Sequence, residues 1–291
     1  MERCFSKTLY KENLKRFWTI PVVAFLFYFV SGLFTLCMHY DREYYSYYEV
    51  HTMLSNQNFG FLVVECGIPV VIAIALFSYL NKANSVNLIH ALPYTRRQLY
   101  ISNLLSGITL STIPQIITAI LLVILRKPTE HSYIEQRLVL DYEVFTISNI
   151  AFWLLMAFTV SFFVLCVCTF ACMLCGNGII AFLTGCGLNL IVPVIVLCFE
   201  GYAENMYFGF DDGSFFDDVL MNFHPATKLV FNPTVINCLV FIAIGLIIAV
   251  LSYLLYGQRK LEKCTDGYVF ELAKHFFGFM FVFVFTTGFG L

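Results

Sequence analysis

One carboxylate stands inside a long apolar run. Glu65 falls within Phe59 to Leu80, after Gly60 and before Gly67 and Pro69. A charge at the depth of a hydrocarbon layer is costly, so this side chain is expected to face protein or water and to be protonated or polar-bonded. It is a candidate for gripping a polar substrate group or for a gating hydrogen bond, and the plainer alternative is a structural bond to a neighbouring helix. A second chemical pattern is Cys168, Cys172 and Cys175, which share one helical face. Thiolates so spaced can ligate a soft metal or exchange disulfides. With no histidine nearby in sequence and apolar flanks, they read as small buried hydrophobes, and no metal site is expected. Asp211-Asp212-Gly213 with Asp217-Asp218 misses the calcium-loop spacing and reads as a solvated acidic cap. No G-x-x-x-x-G-K-[ST] occurs, so the chain is expected to hold no nucleotide of its own and not to be an enzyme.

The elements that must position these residues follow from composition. Of 291 residues, 59% are apolar and only 12% charged, with a mean hydropathy of +0.79. Ordinary soluble domains carry roughly twice that charge. A soluble enzyme or nucleic-acid binder is therefore excluded, and no nucleic-acid partner is expected. Six stretches reach the roughly 20 apolar residues that cross a bilayer: Phe17 to Met38, Phe59 to Leu80, Ile101 to Leu125, Ile147 to Leu174, Gly178 to Phe199 and Val235 to Tyr256. A seventh run, Phe276 to Leu291, is shorter and reads as a truncated span. The expected fold is all-α, a polytopic membrane helix bundle of six transmembrane helices plus that partial seventh. The first run is too long for a signal peptide and has no small-x-small cleavage site after it.

Sorting the charges by side gives an orientation. With the N-terminus inside, residues 1–16, 81–100, 175–177 and 257–275 hold twelve of the 17 basic residues against five acidic ones. The opposite loops hold five basic and thirteen acidic residues, Arg126, Lys127 and Arg137 being the exceptions that weaken the bias. The positive-inside rule then predicts a cytoplasmic N-terminus in the cell membrane. Arg3, Lys7, Lys11 and Lys15 recur every four residues, one stripe of a helix over 1–16 that would meet anionic headgroups while Phe5, Leu9 and Phe17 dip toward the acyl chains. The alternative is a few basic residues that merely orient the first span.

The segment 81–100 is the most informative stretch. Ser85 can cap a short helix carrying Val86, Leu88, Ile89 and Leu92, which Pro93 ends. Thr95 and Gln98 form a capping-box pattern that opens the helix of the third span, with Arg96 and Arg97 beside it. A loop that only connects two spans has no need of four apolar side chains. They suggest a docking surface or a helix resting on the membrane.

Leu76-Phe77-Ser78-Tyr79-Leu80, then Ile89-His90-Ala91-Leu92-Pro93-Tyr94-Thr95-Arg96-Arg97-Gln98-Leu99-Tyr100 with Ser102-Asn103, resembles the first intracellular loop of type-2 ABC transporter permeases, as encoded by Gram-positive bacteria beside a separate ATPase. The minimal turn Cys175-Gly176-Asn177, the long segment 200–234 and Arg259-Lys260-Leu261-Glu262-Lys263 extend the likeness over the chain. At Cys264 and Thr265 it departs from the family's small residue and glycine. The resemblance implies an exporter permease whose loop, through Val86, Leu88, Ile89, Leu92, Pro93, Arg96 and Arg97, seats on an ATP-binding subunit that carries ATP and magnesium. It implies a second permease, identical or homologous, and short re-entrant helices in 200–234. The substrate class stays open among lipids, peptides and drug-like molecules. A non-transporting sensor or assembly subunit is the main alternative and a membrane-embedded enzyme the weaker one. Pro21, Pro69, Pro114 and Pro193 are candidate bends, and Asn103, Gln115, Asn189 and Asn237 are expected to bond between helices.

Overall fold

The computed structural model describes residues 5–134, 137–141, 143–206, 214–260, 262, 264 and 266–289. Helix α1 (Lys7–Arg16) precedes a first long helix made of α2 (Thr19–Tyr28), a π-helical stretch (Phe29–Leu33) and α3 (Phe34–Met38). After β1 (Tyr45–Ser46) come α4 (Tyr47–Leu54), then α5 (Phe59–Phe77) with a 3₁₀ extension to Asn81. The short α6 (Ala83–Ala91) leads to α7 (Arg96–Ile124), the hairpin β2 (Thr129–Ile134) and β3 (Arg137–Asp141), then α8 (Ile147–Leu174) and α9 (Gly178–Met206). Two short helices, α10 (Ser214–Phe223) and α11 (Pro225–Phe231), precede α12 (Val235–Gln258) and α13 (Glu271–Phe289).

Among the described residues, six helical segments are long and apolar enough to cross a membrane: Thr19–Met38, Tyr47–Asn81, Arg96–Ile124, Ile147–Leu174, Gly178–Gly201 and Val235–Gln258. Each contains or overlaps one of the six runs read from hydropathy. Residues 276–289 of the run at the chain's end lie in α13, which begins at Glu271, before the first apolar residue of that run. The helix starts follow local chemistry. Side chains of Asn58, Thr95, Thr146 and Thr234 accept hydrogen bonds from the backbone N–H three residues on, at the heads of α5, α7, α8 and α12. Each satisfies a donor that the helix itself cannot. Pro21 sits in the first turn of α2, where no N–H is required, whereas Pro69, Pro114 and Pro193 lie inside α5, α7 and α9.

Helix α8 is the hub. Its apolar window is 72% buried, against 22% for α9 and 28% for α12, because it is apolar on all sides and packs between α5, α7, α9 and α12. Two buried clusters result. One gathers Phe77, Leu80, Tyr100, Cys172, Met173 and Tyr256 at the end that also carries α1, α6 and Arg259, here called the basic end. The other gathers Tyr28, Leu33, Phe61, Leu122, Trp153 and Val160 toward the opposite, acidic end.

The connections at the acidic end contain a small sheet that hydropathy does not reveal. β1 runs parallel to β2, pairing Tyr45 with Thr129, and β2 runs antiparallel to β3. Lys127 donates to the carbonyls of Tyr40 and Arg42 and lies over the Tyr40 ring. One of the basic residues that breaks the charge bias thus ties two connections together.

Candidate functional site

The loop between the second and third spans forms a helix, a proline turn and a second helix. α6 starts at Ala83 after an extended Lys82, so Ser85 lies in its first turn and is not the cap expected from sequence. Leu92 is extended (φ −72°, ψ 152°), the conformation favoured before a proline, and this ends the helix. The Thr95–Gln98 capping box is present in both directions. The four apolar side chains divide. Val86 is buried and Ile89 is half-buried against the basic-end core, while Leu88 and Leu92 are 69% and 46% exposed. Pro93 and Arg97 are exposed beside them.

Arg96 points the other way. Its guanidinium donates to the carbonyls of Gly257 (2.8 Å) and Tyr256 (3.3 Å), the last turn of α12. A cation at that position satisfies carbonyls that the helix leaves open and opposes its dipole. Tyr79 and Tyr256 share a hydroxyl hydrogen bond of 3.1 Å, and the Tyr100 hydroxyl donates to Ala249 O at 2.7 Å. The loop is thereby fixed to α12 at both of its ends.

Sequence reasoning missed the central residue of this end. Arg259 is 2% exposed and donates to Cys172 O (2.7 Å), Met173 O (3.1 Å) and Leu80 O (3.1 Å). It closes the C-terminal ends of α8 and of the 3₁₀ turn after α5 from its place just beyond α12. Burial pushes its proton affinity below the usual guanidinium value, yet guanidinium remains charged in proteins. Nothing in the sequence separates it from the neighbouring Lys260, which is exposed. The segment after it also closes on the α8–α9 turn: Val269 N donates to Leu174 O and Gly176 N to Gly267 O.

Helix α1 lies across α7 through polar contacts. Ser6 N donates to Ser102 Oγ (3.0 Å), Asn13 Nδ2 to Asn103 Oδ1 (2.7 Å), and Tyr10 shares a hydrogen bond with Thr109 (2.9 Å). Lys7, Lys11 and Lys15 are exposed; Arg3 lies outside the described residues. Of the three side chains expected to dip into lipid, Phe17 rests on the basic-end core, Leu9 is half-buried and Phe5 is exposed.

Glu65 is fully buried between α5, α7 and α8. Gln115 donates to Ala157 O (3.1 Å) and Ser161 Oγ (2.7 Å), and Ser161 donates to the backbone carbonyl of Glu65 (3.2 Å). The carboxylate oxygens face the Asn56 side chain but meet no partner at full hydrogen-bonding geometry. Of the four amides expected to bond between helices, Asn103, Gln115 and Asn189 do so, while Asn237 bonds locally to Asn232 O.

At the acidic end, α10 and α11 form a short hairpin that turns back among the long helices. His224, at their junction, accepts from Ala226 N at Nδ1, which leaves Nε2–H to donate to Asn189 Oδ1 (3.2 Å), and its ring meets Phe163 edge-on. An apolar groove of about 620 Å³ opens beneath the hairpin, lined by Phe163, Val167, Leu188, Val192, Phe241 and Ile244. Burial pushes the His224 imidazole down to about 4 from an ordinary value near 6.5. A depressed histidine contributes docking stability that is present above pH 6.5 and is lost as pH falls toward 4. Lowering pH through that window is expected to raise proteolysis or hydrogen exchange of residues 214–231, and His224→Gln should flatten the dependence. An unchanged pH profile in the variant would disprove this role.

The ten described cysteines are free thiols, and Cys168, Cys172 and Cys175 are buried in the α8 packing. Among the described residues no cluster of three His, Cys, Asp or Glu side chains is placed to hold a metal ion. The segment Asp211-Asp212-Gly213 lies outside the described residues. No family model, curated protein or solved structure matches this chain.

Proposed function

We propose that the chain is the membrane permease subunit of an ATP-driven exporter, with its N-terminus in the cytoplasm and its energy supplied by a separate ATP-binding subunit bearing ATP and magnesium. The observation that carries this reading is the loop at residues 81–100. Leu88 and Leu92 stand exposed beside Pro93 and Arg97, on a helix whose other face is anchored by Val86 and whose neighbouring Arg96 grips α12. A connector has no reason to be braced in this way, whereas a lever pushed by another subunit must be stiff. The apolar groove under the α10–α11 hairpin supports a lipophilic cargo, and a second permease, identical or homologous, completes the pathway. The exposed lysines of α1 face the inner-leaflet headgroups.

The test is co-purification with the ATP-binding protein encoded beside the chain. Leu88→Asp and Leu92→Asp each place a charge on the docking surface and are expected to abolish co-purification while leaving membrane insertion and thermal stability intact, because both side chains are already exposed. Retained binding in the Leu88→Asp, Leu92→Asp double variant would overturn the docking role.

A further inference from the structure

The buried side chains whose oxygens meet no hydrogen bond include five in the acidic-end half of the core: Tyr28 from α2, Asn56 from the turn before α5, Glu65 from α5, and Gln115 and Thr118 one turn apart on α7. None is more than 1% exposed. The Asn56 amide faces the Glu65 carboxyl, Tyr28 lies close enough to feel its charge, and Gln115 also faces the Tyr28 hydroxyl. Glu65, Thr118 and Trp153 each lie six residues from the acidic end of their helices, about 9 Å at 1.5 Å per residue, and Gln115 lies one turn deeper on the same face of α7 as Thr118. Asn56 takes a left-handed backbone (φ 60°), a conformation asparagine tolerates better than most residues, at the turn that turns its side chain inward.

The charge around this cluster is unbalanced. The titratable groups that face Glu65 are Tyr28 from α2 and Cys66 from its own helix. The turn before α5 presents Asn56, α7 presents Gln115 and Thr118, and α8 presents Ser161 and Trp153. Among the described residues no lysine, arginine or histidine compensates the carboxylate. A bare buried anion is untenable, so a positive charge must accompany it. One carboxylate balances one unit of charge, whereas a divalent ion would leave an excess. Carboxylate, amide and hydroxyl oxygens are the donors that hard cations take.

We propose that Glu65, Asn56, Tyr28, Gln115 and Thr118 bind a single monovalent cation, either a proton or a sodium ion, inside the acidic-end half of the bundle. The assignment does not depend on the docking of an ATPase and is tested on the isolated full chain. The sequence has 2 tryptophans, and Trp153 lies in this cluster with its ring 6.2 Å from that of Tyr28. Trp18→Phe therefore leaves one reporter. In detergent, its emission is followed as sodium chloride replaces choline chloride at constant ionic strength at pH 8, and then from pH 5 to 9 in choline chloride alone.

A saturable sodium response that Glu65→Gln abolishes identifies an alkali-ion site. A pH response without a sodium response, again lost in Glu65→Gln, identifies a proton site. Thr118→Val, which removes one oxygen at nearly constant shape, is expected to weaken sodium binding by about tenfold or more, or to shift the pH midpoint, and it covers the case in which Glu65→Gln fails to fold. Emission indifferent to both titrations, or equally responsive in the Glu65→Gln and Thr118→Val variants, would overturn the proposal.

Discussion

Replacing Arg259 with methionine is expected to cost about 3–5 kcal/mol, because three carbonyl groups lose a charged donor and each buried polar group left unsatisfied costs about 1–3 kcal/mol. Three carbonyl groups, of Leu80, Cys172 and Met173, would lose a charged donor at distances of 3.1, 2.7 and 3.1 Å. Methionine approximates the volume of the side chain, so the loss reports hydrogen bonding more than a cavity. Arg259→Lys is expected to fall between, because an ammonium group lacks the planar fork that reaches carbonyls from two directions. Thermal unfolding in detergent is the measurement. A methionine variant as stable as the parent would mean that these carbonyls find other donors. The functional corollary follows from position. Arg259 joins the end of the second span, the end of the fourth and the segment after the sixth, and Arg96 joins the braced loop to the same α12 terminus. Loosening Arg259 is therefore expected to disconnect the loop from the bundle even where the chain still inserts.

Trp153→Ala is expected to lower stability by about 3–5 kcal/mol, the typical cost of truncating a large buried aromatic side chain. Trp153 is fully buried, with ring centroids 5.6 Å from Phe61 and 6.2 Å from Tyr28. In a membrane bundle, lipid offers little hydrophobic force between helices, so van der Waals packing of this kind holds the acidic-end half together. The control is Trp18→Ala, at a site 60% exposed, whose effect should be small. Equal effects of the two substitutions would show that the aromatic cluster is not a point of cohesion. Because Tyr28 belongs both to this cluster and to the polar group around Glu65, the truncation should also blunt any cation response.

Six long helices were legible from apolar length alone, since a backbone in hydrocarbon must bond internally and a helix does so within one segment. The capping box at Thr95 and Gln98 was legible for a similar reason, as both partners lie within three residues. Strands β1 to β3 were not: β1 pairs with β2 across more than eighty residues, and the local β2–β3 hairpin is a short segment between apolar runs that reads simply as a loop. The loop at residues 81–100 was read correctly as a helix, a proline turn and a helix, but not which of its apolar side chains stand outward.

Sequence by itself thus determined what depends on neighbours along the chain: the apolar helices, their caps and the sorting of charge between their ends. Tertiary structure alone decided that Val86 is an anchor while Leu88 is presented, that Arg259 is buried and Lys260 is not, and that Glu65 meets Asn56 and Tyr28 without a basic partner. Residue type sets what a side chain can bond, but its partners come from helices distant in sequence, and only packing brings them within reach.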